Sequence, residues 1–259
     1  MFQSTYLKTQ DANWVKGAAY ASAPTMRFTL HNGDPSLTGA NEIAFTARIP
    51  ATTYGAIATV GNKREFPVNE ALTFVNSPIT GNATHWGAWD SLTTGNYLGG
   101  GQFVDEAGVA TTIALATGDD VTIASGAIRF AYQRGVFSDY FIDLKLNWLK
   151  GTAFASAPSN IYGDLGLGLT ASGGGSVSGL ARQVVTFGAN TTVLNYIRIS
   201  NNATASWGAS PSGGRTLDSV AFRDSITSGN LLWVGSYRSQ FYIAGNPLSW
   251  GVGKINCDF

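Results

Sequence analysis

The chain has 259 residues with 16 basic and 16 acidic side chains, so its formal net charge at pH 7 is zero. Proteins that bind nucleic acid by neutralising phosphates need a basic surface, and no basic run here is longer than Lys63-Arg64, which excludes nucleic acid as an expected partner. Charged residues make up only 12% of the chain, but 44% of the residues are apolar, which is enough for a folded core.

A tandem duplication organises the sequence from its beginning. Residues 4–24 align with residues 138–158, and 11 of these 21 positions are identical, ending in Ala-Ser-Ala-Pro in both segments. Two further pairs of motifs keep the same offset in residue number: Ala47-Arg48 with Ala181-Arg182, and Asp90-Ser91 with Asp224-Ser225. Unrelated segments would not keep one offset over so many positions, so the chain contains an internal repeat.

The offset changes near the end of the repeat. Gly126 aligns with Gly253 at a shorter offset, which predicts a seven-residue insertion in the first copy, in the region of Val104 to Val109. We therefore predict two homologous domains, residues 1–133 and 134–259.

Each repeat is predicted to open with a helix. In the second copy, Ser138 can cap the N-terminus, apolar residues recur at helical spacing from Phe141 onward, and Gly151 follows the helix end. Gly17 holds the same place in the first copy. The first helix is far more polar, because Lys8-Thr9-Gln10-Asp11 separates its apolar residues, so we expect it at an outer surface or at a different interface.

After each helix the hydrophobic period changes to two, as in half-buried strands. Candidate strands are Arg27 to Leu30, Ala44 to Ile49, Thr84 to Trp89, Thr111 to Leu115, Ile128 to Tyr132, Gln183 to Phe187, Asn195 to Ile199, Ser219 to Phe222, Leu231 to Val234 and Gly251 to Ile255. Many short strands without helical patterns between them predict a mainly β fold: two tandem antiparallel β-sandwich or barrel-like units, each preceded by a short helix.

The same short motifs follow one another in a fixed order. They are the helix end Lys150 to Phe154, the turn Leu30 to Pro35, the two Ala-Arg strands, the aromatic strands that lead into Asp90-Ser91 and Asp224-Ser225, and the Gly-Asn-Leu-Leu step at 229–232. In this order they resemble a small β-rich module of tailed-bacteriophage virion proteins, of the tail fibre, minor tail and head-decoration types. The second copy departs where Leu165-Gly166-Leu167-Gly168 replaces the turn. The resemblance implies a structural role in a virion and carries no catalytic residues.

The residues themselves point away from common catalytic sites. His31 and His85 lie in different segments without neighbouring ligands, so we interpret both as turn or strand-surface residues. No Gly-x-Ser-x-Gly motif or Walker loop occurs, and the runs Gly99 to Gly101 and Gly173 to Gly175 are better explained by strand bending and loops than by phosphate binding.

The carboxylates are the strongest catalytic candidates, because two suitably separated acids suffice for glycoside hydrolysis. The acids in question are Asp34, Glu42, Asp90, Asp119, Asp120, Asp164 and Asp224. Most of them adjoin turn residues, and a duplicated turn position such as Asp90 is more naturally structural. Asp34 with Glu42, or Asp119 with Asp120, is the alternative that could hold Ca²⁺.

Seven tryptophans could supply a core or a binding surface. Trp14 and Trp148 hold equivalent helix positions and are predicted core anchors. Trp86 and Trp89 fall on opposite sides of a strand, so one of them can face outward. The others are Trp207, Trp233 and Trp250. We favour burial in the core or against another subunit over stacking on a sugar.

Together these features predict a non-enzymatic structural component of a tailed-phage virion, either tail or fibre-associated or capsid-decorating, that acts through subunit contacts. No catalytic, cofactor-binding or metal-ligating residue is assigned, no cofactor is expected, and the binding residues stay open. The expected partners are further copies of the chain and other virion proteins. Cys257 is the only cysteine, and neither a membrane helix nor a signal peptide is indicated, so we expect assembly in the bacterial cytoplasm.

Two other functions stay open at this point. One is a host-receptor or carbohydrate-binding adhesin module of the phage tail, for which a host surface glycan is the partner. The other is a tail-associated glycan hydrolase that uses an acid pair.

Overall fold

The computed structural model describes residues 2–105 and 108–259. Its two helices are α1, Thr5–Val15, and α2, Asp139–Leu149, and short antiparallel strands make up most of the remaining regular structure. The predicted fold class is confirmed: the chain is mainly β, with antiparallel sheets and a short helix before each set of strands. Neither described helix has the length and apolar character that a membrane span requires.

Equivalent residues begin and end the two helices. The Ser4 hydroxyl accepts a hydrogen bond from the Leu7 N–H at 3.1 Å, and the Ser138 hydroxyl accepts one from the Phe141 N–H at the same distance. After each helix a glycine adopts φ +95°, which only glycine reaches without strain. The cap and the terminating glycine predicted for the second helix are therefore present in both copies.

The polar character of α1 does not place it on an outer surface. Lys8 and Asp11 are buried, and the Tyr20 hydroxyl donates a hydrogen bond to the Asp11 carboxylate at 3.0 Å. The Gln10 side-chain carbonyl accepts a further bond from the Ala21 N–H. Of the two predicted locations, the outer surface was wrong, because tertiary partners satisfy polar side chains that periodicity alone assigns to solvent. The alternative, a different interface, stays a prediction.

The chain forms two compact units that are not identical with the sequence repeats. Compact unit 1 consists of Met1–Lys8, Ser22–Tyr132 and Lys145–Phe154, and compact unit 2 consists of Thr9–Ala21, Gln133–Leu144 and Ala155–Phe259. Each helix thus contributes residues to both units. The predicted domain boundary between residues 133 and 134 concerns the duplication of the sequence and stays a prediction.

The first twelve strands precede α2. They are β1 (Phe2–Gln3), β2 (Arg27–His31), β3 (Ile49–Pro50), β4 (Ala58–Val60), β5 (Lys63–Pro67), β6 (Leu72–Phe74), β7 (Gly81–Ala83), β8 (His85–Trp89), β9 (Tyr97–Gln102), β10 (Ile113–Leu115), β11 (Val121–Ile123) and β12 (Arg129–Gln133). One five-stranded sheet has the order β1-β9-β8-β2-β3. Smaller ladders pair β10 with β7 and β11 with β6, and a three-stranded sheet has the order β12-β5-β4.

The other ten strands follow α2. They are β13 (Ile161–Leu167), β14 (Ser176–Val177), β15 (Gln183–Val185), β16 (Thr191–Val193), β17 (Tyr196–Ser200), β18 (Ala205–Ala209), β19 (Arg215–Arg223), β20 (Leu231–Tyr242), β21 (Pro247–Trp250) and β22 (Asn256–Asp258). A second five-stranded sheet has the order β14-β13-β19-β20, with β15 also paired to β13. Smaller ladders have the order β16-β17-β22 and pair β18 with β21.

The strand registers show where the repeats correspond. In the first repeat Trp86 pairs with Gly101, and in the second Val220 pairs with Gly235. Val220 and Gly235 are the residues that the sequence repeat aligns with Trp86 and Gly101. The antiparallel strand pair β8-β9 of the first repeat therefore corresponds to β19-β20 in the second. The two repeats share this hairpin even where their side chains differ.

Several predicted strands have different bounds in the structure. Residues 251–255 form a turn, with Gly253 at φ +73°, and the closing strand follows at Asn256–Asp258, so the prediction of a strand at Gly251 to Ile255 was wrong. Of the strand predicted from Ala44 to Ile49, only Ile49 belongs to a strand of the structure, β3. In the region of the predicted insertion Val104 pairs with Ala110, whereas residues 106 and 107 lie outside the described residues.

Candidate functional site

The duplicated acids Asp90 and Asp224 organise equivalent turns. Both carboxylate oxygens of Asp90 accept bonds from Asn96, one from its backbone N–H and one from its side-chain amide, each at 2.7 Å. Asp224 binds the backbone and side chain of Asn230 in the same way, at 2.6 and 2.8 Å. These carboxylates close equivalent turns between two strands, which is the structural role that the duplication predicted.

The carboxylates of two further candidate acids accept hydrogen bonds from backbone N–H groups. Asp34 accepts a bond from the Ser36 N–H at 2.7 Å, and Asp120 accepts one from the Asn76 N–H at 2.9 Å. Among the described residues, no cluster of three or more His, Cys, Asp or Glu side chains is placed to hold a metal ion.

An arginine in each repeat links two motifs that are far apart in the sequence. The Arg48 guanidinium donates to the Ser91 carbonyl at 3.2 Å, and the Arg182 guanidinium donates to the Ser225 carbonyl at 3.1 Å. The Ala-Arg and Asp-Ser motifs are thus two halves of one duplicated clamp. Sequence reasoning found both motifs but not their contact, although the offset that they share was a signal for it.

The two clamps use different carboxylates. Arg48 forms a two-point ion pair with Glu42, at 2.9 and 3.0 Å, and its guanidinium lies 3.7 Å from the ring centre of Trp89. Arg182 pairs at 3.2 Å with Asp164, which is buried on strand β13 and lies 3.8 Å from a second guanidinium, that of Arg223. A buried carboxylate depends more strongly on its partner, because water cannot replace the lost interaction.

Replacing Arg182 with alanine is therefore expected to lower the free energy of unfolding by about 2–3 kcal/mol. Arg48→Ala is the matched control, and we expect a smaller loss of about 1 kcal/mol, because its partner Glu42 is more exposed and can be hydrated. Urea denaturation of both variants measures the difference. Equal losses would show that the burial of Asp164 does not determine the strength of the clamp.

The two histidines have structural environments. His31 is fully buried, not at a strand surface as expected, and its Nδ1 donates to the Ala40 carbonyl at 2.7 Å. Burial lowers the pKa of His31, so the ring is held neutral. His85 is half-buried, and its Nδ1 pairs with the Thr84 hydroxyl at 2.8 Å.

The glycine runs are strand and loop residues. Gly99 to Gly101 lie in β9, where Gly100 pairs with β1 on one side and β8 on the other. A Cβ on Gly100 would clash with the Trp86 carbonyl oxygen, so glycine is needed there for close packing of the strands. Gly173 and Gly175 lie in a loop at φ +88° and +89°. Both runs lead into strands or loops of the described chain, whereas a phosphate-binding loop leads into a helix.

The tryptophans supply the cores and one partly open groove. Trp14 and Trp148 are each 1% exposed, which confirms their prediction as core anchors. Trp86 is buried and Trp89 is half-buried beneath Arg48, so the outward-facing member of the pair is covered by a cation. Trp250 is half-buried beside the buried Trp207, and their ring centres are 5.3 Å apart.

Several large apolar side chains of compact unit 2 face solvent. Leu194, in the turn between β16 and β17, is 89% exposed, and Phe241, near the end of β20, is 60% exposed. Ile243 and Val252 are also exposed. Apolar side chains at turns, on a chain with few charges, are the features of the described surface best suited to protein contacts.

A comparison with protein families gives one match that covers both repeats. The model of the family described as podophage GP4 fiber I protein gp80 matches residues 3–131 and, a second time, residues 136–257. A search of curated proteins finds no match. The two matched segments confirm a phage virion module present as two tandem copies.

Proposed function

The chain belongs to the family of the podophage GP4 fiber I protein gp80, and from this premise we propose that it is a non-enzymatic subunit of a virion fibre that acts through subunit contacts. The family supports a structural component of a phage. Asp34, Asp90 and Asp224 serve turns, and Glu42 and Asp164 pair with arginines, which supports a role based on surface contact.

The exposed apolar side chain of Leu194 is the observation that carries the proposal. Leu194 adopts φ +53°, a conformation that costs a branched-chain residue free energy. A leucine that is both strained and almost wholly exposed contributes little to the fold of its own chain. Its side chain is placed to bury apolar area against another subunit.

The proposed partners are further copies of the chain and other fibre or tail proteins. Zero net charge and a low share of charged residues reduce the electrostatic repulsion between copies. Assembly would take place in the cytoplasm of the bacterial host, before the finished virion leaves the cell.

The test places a charge at the proposed contact. We expect Leu194→Asp to weaken self-association at least tenfold, because a carboxylate would have to be desolvated in the contact. Thr192→Asp is the matched control, since it adds the same charge at an exposed polar position of the same hairpin. Size-exclusion chromatography with light scattering measures the mass, and complementation of a phage that lacks the gene measures incorporation into virions.

The outcomes separate clearly. A discrete oligomer that Leu194→Asp dissociates and Thr192→Asp leaves intact supports the proposal. A chain that stays monomeric at micromolar concentration, together with normal incorporation of both variants, contradicts it.

A further inference from the structure

A groove of about 310 Å³ opens on compact unit 2 beside the hairpin β19-β20. Tyr237 and Trp250 form an aromatic part of its lining, and Gln240, Lys254 and Asn256 supply polar groups. A volume of this size lies at the lower end of the range for small-molecule sites in proteins.

The first repeat shows how the groove arises. At the position of Val220 the first repeat has Trp86, which is 4% exposed. The ring centres of Trp86 and Phe130 are 5.0 Å apart. The alignment that pairs Gly126 with Gly253 also pairs Phe130 with Cys257, so the second repeat has a cysteine where the first has a phenylalanine. Two aromatic side chains that fill the first core thus correspond to two small ones in the second.

Other side chains of the second repeat fill only part of this space. Trp207 lies against Gly163, and its indole nitrogen donates to the Gly163 carbonyl at 2.9 Å. The Trp250 ring meets the Trp207 ring edge to face. The ring centres of Tyr237 and Trp250 are 4.9 Å apart, and the angle between the ring planes is 87°. The aromatic residues are thus held at fixed angles to one another, and the groove lies beside them.

The lining has the chemistry that recognises a saccharide. A sugar ring presents a C–H face, which packs on aromatic rings, and an edge of hydroxyl groups, each of which both donates and accepts hydrogen bonds. The exposed Gln240 amide can donate and accept in the same way. The Asn256 side chain is also exposed, and its amide N–H can donate, while its oxygen already accepts a bond from the Ser200 hydroxyl at 2.6 Å. Among the described residues that line the groove, Lys254 is the one charged group and no carboxylate accompanies it, so the groove also accommodates an acidic sugar.

The Tyr237 hydroxyl adds a second, independent observation. It is buried and has no hydrogen-bond partner among the described residues. A buried hydroxyl without a partner is costly, and such groups are uncommon in folded proteins. Burial also raises the pKa of Tyr237, so the hydroxyl stays protonated and remains a hydrogen-bond donor.

We propose that this groove binds one or two sugar residues of a bacterial surface glycan, with Trp250 and Tyr237 against the sugar ring and Gln240 and Asn256 on its hydroxyl groups. The choice of a bacterial glycan rests on the proposed virion function, whereas the saccharide chemistry rests on the groove alone. The second repeat would then combine a shared scaffold with a ligand site that the first repeat fills with its own side chains.

The test uses the full chain on an array of bacterial lipopolysaccharide and capsule oligosaccharides. Binding is then measured by tryptophan fluorescence with rhamnose, galactose, N-acetylglucosamine and glucuronic acid at millimolar concentration. Val220→Trp introduces the residue of the first repeat and is expected to fill the groove, while Gln240→Ala removes an exposed amide without disturbing the core. Phe241→Ala is the matched control, because this exposed aromatic residue lies on the same strand but does not line the groove.

We expect at least one saccharide to bind, with at least tenfold weaker binding in Val220→Trp and Gln240→Ala and unchanged binding in Phe241→Ala. Absence of saccharide binding by the wild-type chain overturns the proposal, as does equal binding by all variants. A change in oligomeric mass in Val220→Trp, without saccharide binding by the wild type, would overturn it too and assign the groove to a protein partner instead. Leu194→Asp tests the fibre contact separately, so failure of either proposal is distinguishable.

Discussion

Replacing Trp14 with alanine is expected to lower the free energy of unfolding by about 3–5 kcal/mol. The ring centres of Trp14 and Phe141 are 5.5 Å apart, and the Trp14 indole nitrogen donates a hydrogen bond to the Ala155 carbonyl at 2.9 Å. Alanine would leave a cavity and a carbonyl without its partner within compact unit 2. Guanidinium denaturation followed by circular dichroism measures the loss.

Two further variants define what Trp14 contributes. Trp14→Phe keeps an aromatic ring but removes the N–H donor, so we expect a loss of about 1–2 kcal/mol. Lys16→Ala, at an exposed neighbouring position, should change stability by less than about 0.5 kcal/mol. If Trp14→Ala were no more destabilising than Lys16→Ala, the helix position would not be a core anchor.

The second large effect is expected at Phe130, in the core of compact unit 1. Its ring stacks on Phe66 with centres 5.2 Å apart and meets Trp86 edge to face at 5.0 Å. Phe130→Ala removes both contacts from a fully buried site, and we expect a loss of about 3–5 kcal/mol. Differential scanning calorimetry and urea denaturation measure the stability of the unit.

Cys257→Ala is the matched variant in the second repeat. Cys257 is buried and corresponds to Phe130, but it is a small side chain, so its loss is expected to cost about 1 kcal/mol. A similar loss in both variants would contradict the view that the first repeat depends on aromatic packing at this position more than the second repeat does.

These variants connect stability with the divergence of the repeats. After a duplication, one copy can retain a filled core while the other exchanges large side chains for small ones, provided that its sheet register is kept. The pairs Trp86-Gly101 and Val220-Gly235 show that this register is the same in both copies. The second repeat thus has space for a ligand without a change in its central hairpin.

The amino-acid sequence by itself determined the features that depend on neighbouring residues. The Ser138 cap and helical spacing predicted α2, and the equivalent glycines Gly17 and Gly151 predicted where both helices end, because these signals act within a few residues of the chain. The alternating strands and the constant offset of the motifs predicted a mainly β fold in two copies. The duplicated position of Asp90 and Asp224 also predicted their role in turns, since each acid and its asparagine partner are close in the sequence.

Only the tertiary structure decided the features that depend on distant residues. The buried side chains of α1 have their partners outside the helix, so periodicity could not show that a polar helix would be covered. The arginine clamp joins Arg48 to Ser91, far along the chain, a contact that depends on strand order. The groove is lined by Val220, which takes the place of Trp86 within a shared register, and a small side chain leaves space only when its neighbours in the fold do not fill it.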